Sequence, residues 1–162
     1  MQFLVLIVLV AFLFLSACAE QTDPWAAFEQ GDYAASYRLW KPLAKQGDLE
    51  ALNYLGIQYY LGLGVNRDFG HAFKLFEQAG KRGNADALVN LGIMYEYGYG
   101  VTLNYSAAFT WFYAAYRLGN AHAEQRMNDL SASKMSNIQI GIATEHAREF
   151  LNNGVGVTKL VN

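Results

Sequence analysis

Residues 51–86 read ALNYLGIQYYLGLGVNRDFGHAFKLFEQAGKRGNAD, and residues 87–122 read ALVNLGIMYEYGYGVTLNYSAAFTWFYAAYRLGNAH. Laid over one another without a gap, the two stretches agree at 16 of 36 positions, where average composition would give about two. A repeat of this length marks stacked supersecondary units, each too small to bury its own apolar face alone.

Each unit reads as helix, loop, helix. Asp48 and its counterparts Asn84 and Asn120 suit the N-cap, where a short polar side chain accepts from free N–H groups of the first turn. Ala51, Leu52, Leu55 and Tyr59 follow at spacings of three and four, which sets them on one helical face. Gly62-Leu63-Gly64-Val65 closes the first helix, with Gly62 free to take the left-handed conformation. Asp68, or Asn104 in the next unit, caps a second helix lined by Ala72, Phe73, Phe76 and Ala79 and ended by Gly83. Gly56 and Gly92 lie inside first helices, where each costs about 1 kcal/mol relative to alanine. The return expected is close approach of the paired helix.

Working outward, Pro24 behind Asp23 is a helix start. Gly31-Asp32-Tyr33 leads into Ala34, Tyr37, Trp40 and Leu43, the expected buried stripe of an N-terminal capping helix. The 36-residue offset sets Trp40 opposite Phe76 and Phe112. Beyond Asn120, residues 121–132 read as a further first helix. Ser136-x-x-Gln139 forms a capping box before Ile140, Ala143, Ala147 and Phe150. That last helix is expected to cover the open apolar end of the stack, because solenoids need covered ends to stay soluble.

The two units resemble Sel1-like repeats, relatives of the tetratricopeptide repeat. The resemblance rests on Ala51, Leu55-Gly56, Tyr59, Gly62-x-Gly64-Val65, Asp68, Ala72, Ala79 and Gly83. In the second unit it rests on Ala87, Leu91-Gly92, Tyr95, Gly98-x-Gly100-Val101, Ala108, Trp111, Ala115 and Gly119. Leu75 departs from the pattern at the tryptophan position, Gly80 and Tyr116 at the second alanine of a pair, and Asn104 at the acidic residue. The resemblance implies an all-α fold, an α-α superhelix (solenoid) of stacked helical hairpins.

At the front of the chain, Phe3 to Leu15 is an unbroken apolar run. It is shorter than the roughly 20 residues a spanning helix needs and suits the apolar core of a secretory signal. Leu15-Ser16-Ala17-Cys18 resembles the bacterial lipobox, whose cysteine is lipidated and becomes the mature N-terminus. Met1-Gln2 supplies no Lys or Arg, and plain cleavage after Ala19 is the alternative. By resemblance to enteric lipoproteins, Ala19 after the cysteine points to the outer membrane. The expected division is therefore a signal peptide at 1–17, an anchor and linker at 18–23, N-terminal capping helices at 24–47, repeats at 48–83 and 84–119, C-terminal capping helices at 120–152 and a flexible tail at 153–162.

Composition excludes several classes of function. Twelve Lys+Arg against fourteen Asp+Glu give a net charge of −2, which supplies no electrostatic drive toward nucleic acid. A single cysteine leaves no intramolecular disulfide and no thiolate-built zinc site. His71, His122 and His146 have no i,i+4 histidine partner. Neither Gly-x-Gly stretch reaches the third glycine of a nucleotide loop, since Arg67 and Leu103 stand there. No metal, cofactor or catalytic constellation is assigned.

What stands out is aromatic surplus. All eleven tyrosines fall between Tyr33 and Tyr116, and Tyr54, Tyr60, Tyr97, Tyr99 and Tyr113 lie off the packing pattern. Tyrosine is common at protein interfaces. In tetratricopeptide relatives the first helices line a concave groove. By that resemblance the partner-binding positions are Asn53, Ile57, Tyr60 and Leu61 in the first unit, Val89, Ile93, Glu96 and Tyr97 in the second, and Gln125 and Asp129 in the cap. A mixed apolar and weakly polar groove suits an extended peptide or a partner helix. The expectation is a non-catalytic interaction scaffold or adaptor, lipid-anchored through Cys18 in the bacterial envelope and facing the periplasm. The alternatives are a peptidoglycan-associated ligand-binding protein or hydrolase, and a structural spacer.

Overall fold

The computed structural model describes residues 23–155, so the apolar leader and Cys18 lie outside the described residues, as do residues 156–162. Among the described residues eight α-helices follow one another: α1 (Pro24–Glu29), α2 (Tyr33–Lys45), α3 (Leu49–Leu61), α4 (Phe69–Lys81), α5 (Ala85–Tyr97), α6 (Tyr105–Arg117), α7 (Ala121–Ser133) and α8 (Asn137–Phe150). A π-helical turn, Leu151–Val155, closes the described chain, and no strand occurs among the described residues. The 36-residue register runs past the two recognisable repeats: α2, α4 and α6 start at 33, 69 and 105, while α3, α5 and α7 start at 49, 85 and 121.

Capping chemistry sets those starts. The side chains of Asp32, Asp68 and Asn104 accept from the N–H groups of Ala35, His71 and Ala107 at 2.9–3.0 Å. Asp48, Asn84 and Asn120 do the same for Ala51, Ala87 and Ala123 at 2.8–3.1 Å. Each cap satisfies a donor that the first turn leaves unpaired. The capping box at α8 is present with both of its arms.

The loops are closed by paired glycines. Gly62 sits at φ 76° and Gly64 at φ 70°, a left-handed region that side-chain-bearing residues rarely adopt. Gly64 also presses against the backbone of Tyr33, so that a Cβ there would come within 2.8 Å of Ala34 N. Gly100 meets Phe69 in the same way, one repeat on. Gly-x-Gly is thus a packing device that seats each loop on the start of the preceding second helix.

Helix pairing depends on the two helix-interior glycines. A Cβ on Gly56 would clash with the ring of Phe76, and one on Gly92 with the ring of Phe112. Both rings are essentially fully buried. Around them Ala51, Ala72, Ala79, Ala87, Ala108 and Ala115 are wholly enclosed and keep the helices close. Trp40, at 6% exposure, takes the ring position of this series in α2.

Two expectations need correction. The α2 stripe begins at Ala35 and Ser36, which are buried, whereas Ala34 is exposed. Helix α8 does not close the end of the stack: it packs along α6, and the following π-helical turn reaches α4. Thr110 Oγ1 donates to the Ala143 carbonyl at 3.2 Å, Trp111 meets Phe150 edge-on at 5.0 Å, and Ala143, Ala147 and Leu151 are buried. The end itself is formed by α7, whose outward positions His122, Glu124, Gln125, Asn128 and Asp129 are polar and exposed, so it needs no lid. The π-helical turn runs to Val155.

Two glycines in helix interiors give opposite expectations. Gly92→Ala should cost about 1–3 kcal/mol despite its better helix propensity, because the Phe112 ring must move. Gly141 in α8 has open space around its Cβ position, so Gly141→Ala should stabilise by about 0.5–1 kcal/mol. Urea unfolding of both variants checks the pair, and equal effects would refute the packing argument.

Candidate functional site

The first helices α3, α5 and α7 lie side by side, and polar side chains bridge neighbours. Asn90 Nδ2 donates to Asn53 Oδ1 at 2.9 Å, and Asn120 Nδ2 to Asp86 Oδ1 at 2.7 Å. Arg126 Nη1 stands 3.3 Å from Glu96 Oε2 and 3.4 Å from the Tyr97 hydroxyl. Burial works against the Arg126 charge, but the Tyr97 hydroxyl and the Glu96 carboxylate outweigh it, and the guanidinium pKa rises above its usual range.

These bridges sort the expected groove residues. Asn53 is buried at 5% exposure with its carboxamide oxygen occupied by Asn90, so it is a strut between α3 and α5 and not an open groove position. Ile57, Val89 and Ile93 are half-buried and packed on the core. Leu61 and Tyr97 are half exposed, and Gln125 and Asp129 are exposed. Glu96, Tyr97 and Asp129 come together with Leu103, Tyr105 and Lys134 in one cleft of about 340 Å³ between α5, α6 and α7.

At the C-terminal ends of α3 and α5 the aromatic residues join into one stack. Phe69 and Tyr99 are stacked at 5.2 Å and 19°, and Tyr99 and Tyr97 at 5.7 Å and 21°. Tyr60 meets both Phe69 and Tyr99 edge-on, and burial foremost raises its phenol pKa. Arg67 lies 5.4 Å over Phe69 and Arg126 5.8 Å over Tyr97, so a guanidinium covers each end of the stack. Leu61 and Leu103 flank it and are about half exposed. The result is an apolar surface held rigid from within, continuous with the cleft that holds Glu96 and Asp129.

Sequence reasoning named Tyr60 and Tyr97 for this face but not Phe69, Tyr99, Leu103 or Arg126. Tyr99 and Leu103 stand in the loop and Phe69 at the start of a second helix, so no helical periodicity on α3 or α5 could bring them there. Tyr54 goes elsewhere: it stacks on Trp40 at 5.1 Å and meets Trp25 and Phe28, closing the N-terminal end.

Among the described residues no group of three or more His, Cys, Asp or Glu is placed to hold a metal ion. No described helix is long and apolar enough to cross a membrane.

Compared with known proteins, the Sel1 repeat family matches at residues 49–84 and 85–120. A crystal structure of a protective antigen present in uropathogenic Escherichia coli strains, displaying an SLR fold, superposes with a TM-score of 0.70 at 24% identity, over 83% of this chain and 31% of that one. A Sel1 repeat protein from Oxalobacter formigenes superposes with a TM-score of 0.65 at 25% identity, over 78% of this chain and 54% of that one. The chain thus spans about a third and about half the length of these two structures. No curated protein matches it in sequence.

Tyr99→Ala should remove the middle of the stack. Near-ultraviolet circular dichroism is expected to fall sharply, with a stability loss of about 1–2 kcal/mol. An unchanged near-ultraviolet spectrum would mean that the rings are not ordered in solution.

Proposed function

We propose, from the premise that this chain carries two Sel1 repeats on an SLR solenoid, that it is a non-catalytic interaction scaffold in the bacterial envelope. Sel1 repeats are a fold generally used for protein–protein interaction. One observation carries the more specific reading: the ordered aromatic surface of Tyr60, Tyr97 and Tyr99 with Leu61 and Leu103, adjoining a cleft lined by Asp129 and by Glu96 in its pairing with Arg126. A preformed apolar surface costs little conformational entropy on binding, and tyrosine adds a hydroxyl to each contact. The occupant it suits is an extended peptide or a helix with an apolar stripe.

The envelope location rests on the leader and the lipobox-like Leu15-Ser16-Ala17-Cys18. Lipid on Cys18 would leave the solenoid tethered at its N-terminal end and facing the periplasm, with the outer membrane as the destination suggested by Ala19.

Two measurements test these statements separately. Recovery of partners from envelope extracts with Tyr60→Ala/Tyr97→Ala should fall at least tenfold below wild type, and equal recovery would count against this surface. Labelled fatty acid should enter the wild type and not Cys18→Ala, and label in neither would remove the anchor.

A further inference from the structure

The tryptophan position of the first repeat is occupied by Leu75, and the space released is a cavity of about 400 Å³ between α2, α3 and α4. That volume lies in the range of small-molecule sites. Leu52, Leu55, Leu75 and Ala44 make the apolar floor, and Tyr37, Tyr59, His71, Gln78, Lys41 and Lys45 form the polar rim.

The second repeat shows what this site would be without its departures. One period on, Trp111 stands for Leu75, Phe73 for Tyr37, Glu77 for Lys41, Ala107 for His71 and Ala114 for Gln78. There Trp111 packs on Phe150 and α8 lies along α6, and the open space that remains is a cleft between Lys81 and α8. In the first repeat the bulk is gone and no described helix covers the gap, while four rim positions have turned polar or cationic. Lys45 and Lys81, in contrast, are the same residue in both. Loss of bulk and gain of polar groups coincide in one place.

Charge narrows the ligand. Both charged rim side chains are lysines, and among the described residues no carboxylate lines the cavity. Asp68, whose charge acts on Tyr59, is engaged as the N-cap and accepts from His71 N at 2.9 Å. The hydroxyls of Tyr37 and Tyr59 lie 2.9 Å apart. The hydrogen bond between them, foremost, lowers the Tyr37 pKa, with Lys41 adding to the effect, and pushes Tyr59 up to about 12. Either hydroxyl can donate to the other, and when Tyr59 donates, the Tyr37 O–H is left to donate outward beside the Lys41 ammonium.

We infer that the cavity between α2, α3 and α4 is a binding site for a small carboxylic acid with a compact apolar body, its carboxylate held by Lys41, Lys45 and the Tyr37 hydroxyl and its hydrocarbon laid on Leu52, Leu55 and Leu75. The site is built on the second-helix side of the stack and is independent of the aromatic surface on α3 and α5.

Calorimetric titration of the full chain with hexanoate tests the site, with hexan-1-ol and hexylammonium as controls. Saturable hexanoate binding with a Kd of about 1 mM or tighter is expected. The alcohol and the amine should bind at least tenfold more weakly. Lys41→Gln/Lys45→Gln changes only exposed side chains and should weaken hexanoate about tenfold. Leu75→Trp, which restores the residue of the second repeat, should abolish binding while helical circular dichroism is retained. The inference is overturned if wild type shows no saturable binding, if hexan-1-ol binds as well as hexanoate, or if the double lysine variant binds like wild type. Retained binding in a folded Leu75→Trp variant would overturn it equally. Should Leu75→Trp fail to fold, the lysine variant decides alone.

Discussion

The contact between a phenylalanine ring and bare helix backbone governs this molecule. Phe76 lies against Gly56 and Phe112 against Gly92, each ring where a side chain would otherwise be. A helix pays about 1 kcal/mol in propensity for such a glycine, and the buried ring returns more than that in transfer free energy. The enclosed alanines of both units follow from the same requirement, since helices brought this close leave room only for methyl groups. The glycine loops serve it too. They turn the chain tightly enough for the second helix to return at the right height, and they rest on the helix before.

A stack of identical units would expose apolar surface at both ends, and this chain treats its ends differently. At the N-terminal end Trp25, Phe28, Tyr33, Trp40 and Tyr54 interlock as rings, so α1 closes the stack with only six residues. At the other end α7 keeps the inward alanine and leucine of a first helix, Ala123 and Leu130, and carries polar residues outward. That frees α8 to lie along α6, which becomes buried on two sides. Ala108, Phe109, Phe112 and Ala115 carry the repeat's ring-and-alanine packing, while Thr110 and Trp111 meet α8.

The surfaces fit for binding arise where the two repeats differ from each other. Tyr97 and Tyr99 stand where the first unit has Leu61 and Leu63, and they complete a ring stack that Phe69 and Tyr60 begin. Leu75 stands where the second unit has Trp111, and it opens a cavity. Positions shared by both units hold the hairpins together, and positions that differ shape what the hairpins present.

Much of the architecture was legible in the chain alone. A 36-residue period, an Asp or Asn before each helix of the two repeats and a glycine at or just after its end are local signals, and capping and backbone conformation act within a few residues of where they are written. The placing of Gly56 and Gly92 could be reasoned from their cost, because a helix interior keeps such residues only against a close neighbour. The candidate face was legible only in part. Tyr60 and Tyr97 follow from the resemblance to tetratricopeptide relatives, whose first helices line a groove, but Phe69, Tyr99, Leu103 and Arg126 reach it from a loop and from other helices. Asn53 looked like a surface position and is a buried strut, because its partner Asn90 is 37 residues away and no spacing rule pairs them. The course of α8 was decided by tertiary structure alone. An amphipathic stripe says that a helix must cover something apolar, and only the competition between α6 and the polar end at α7 determines which surface that is.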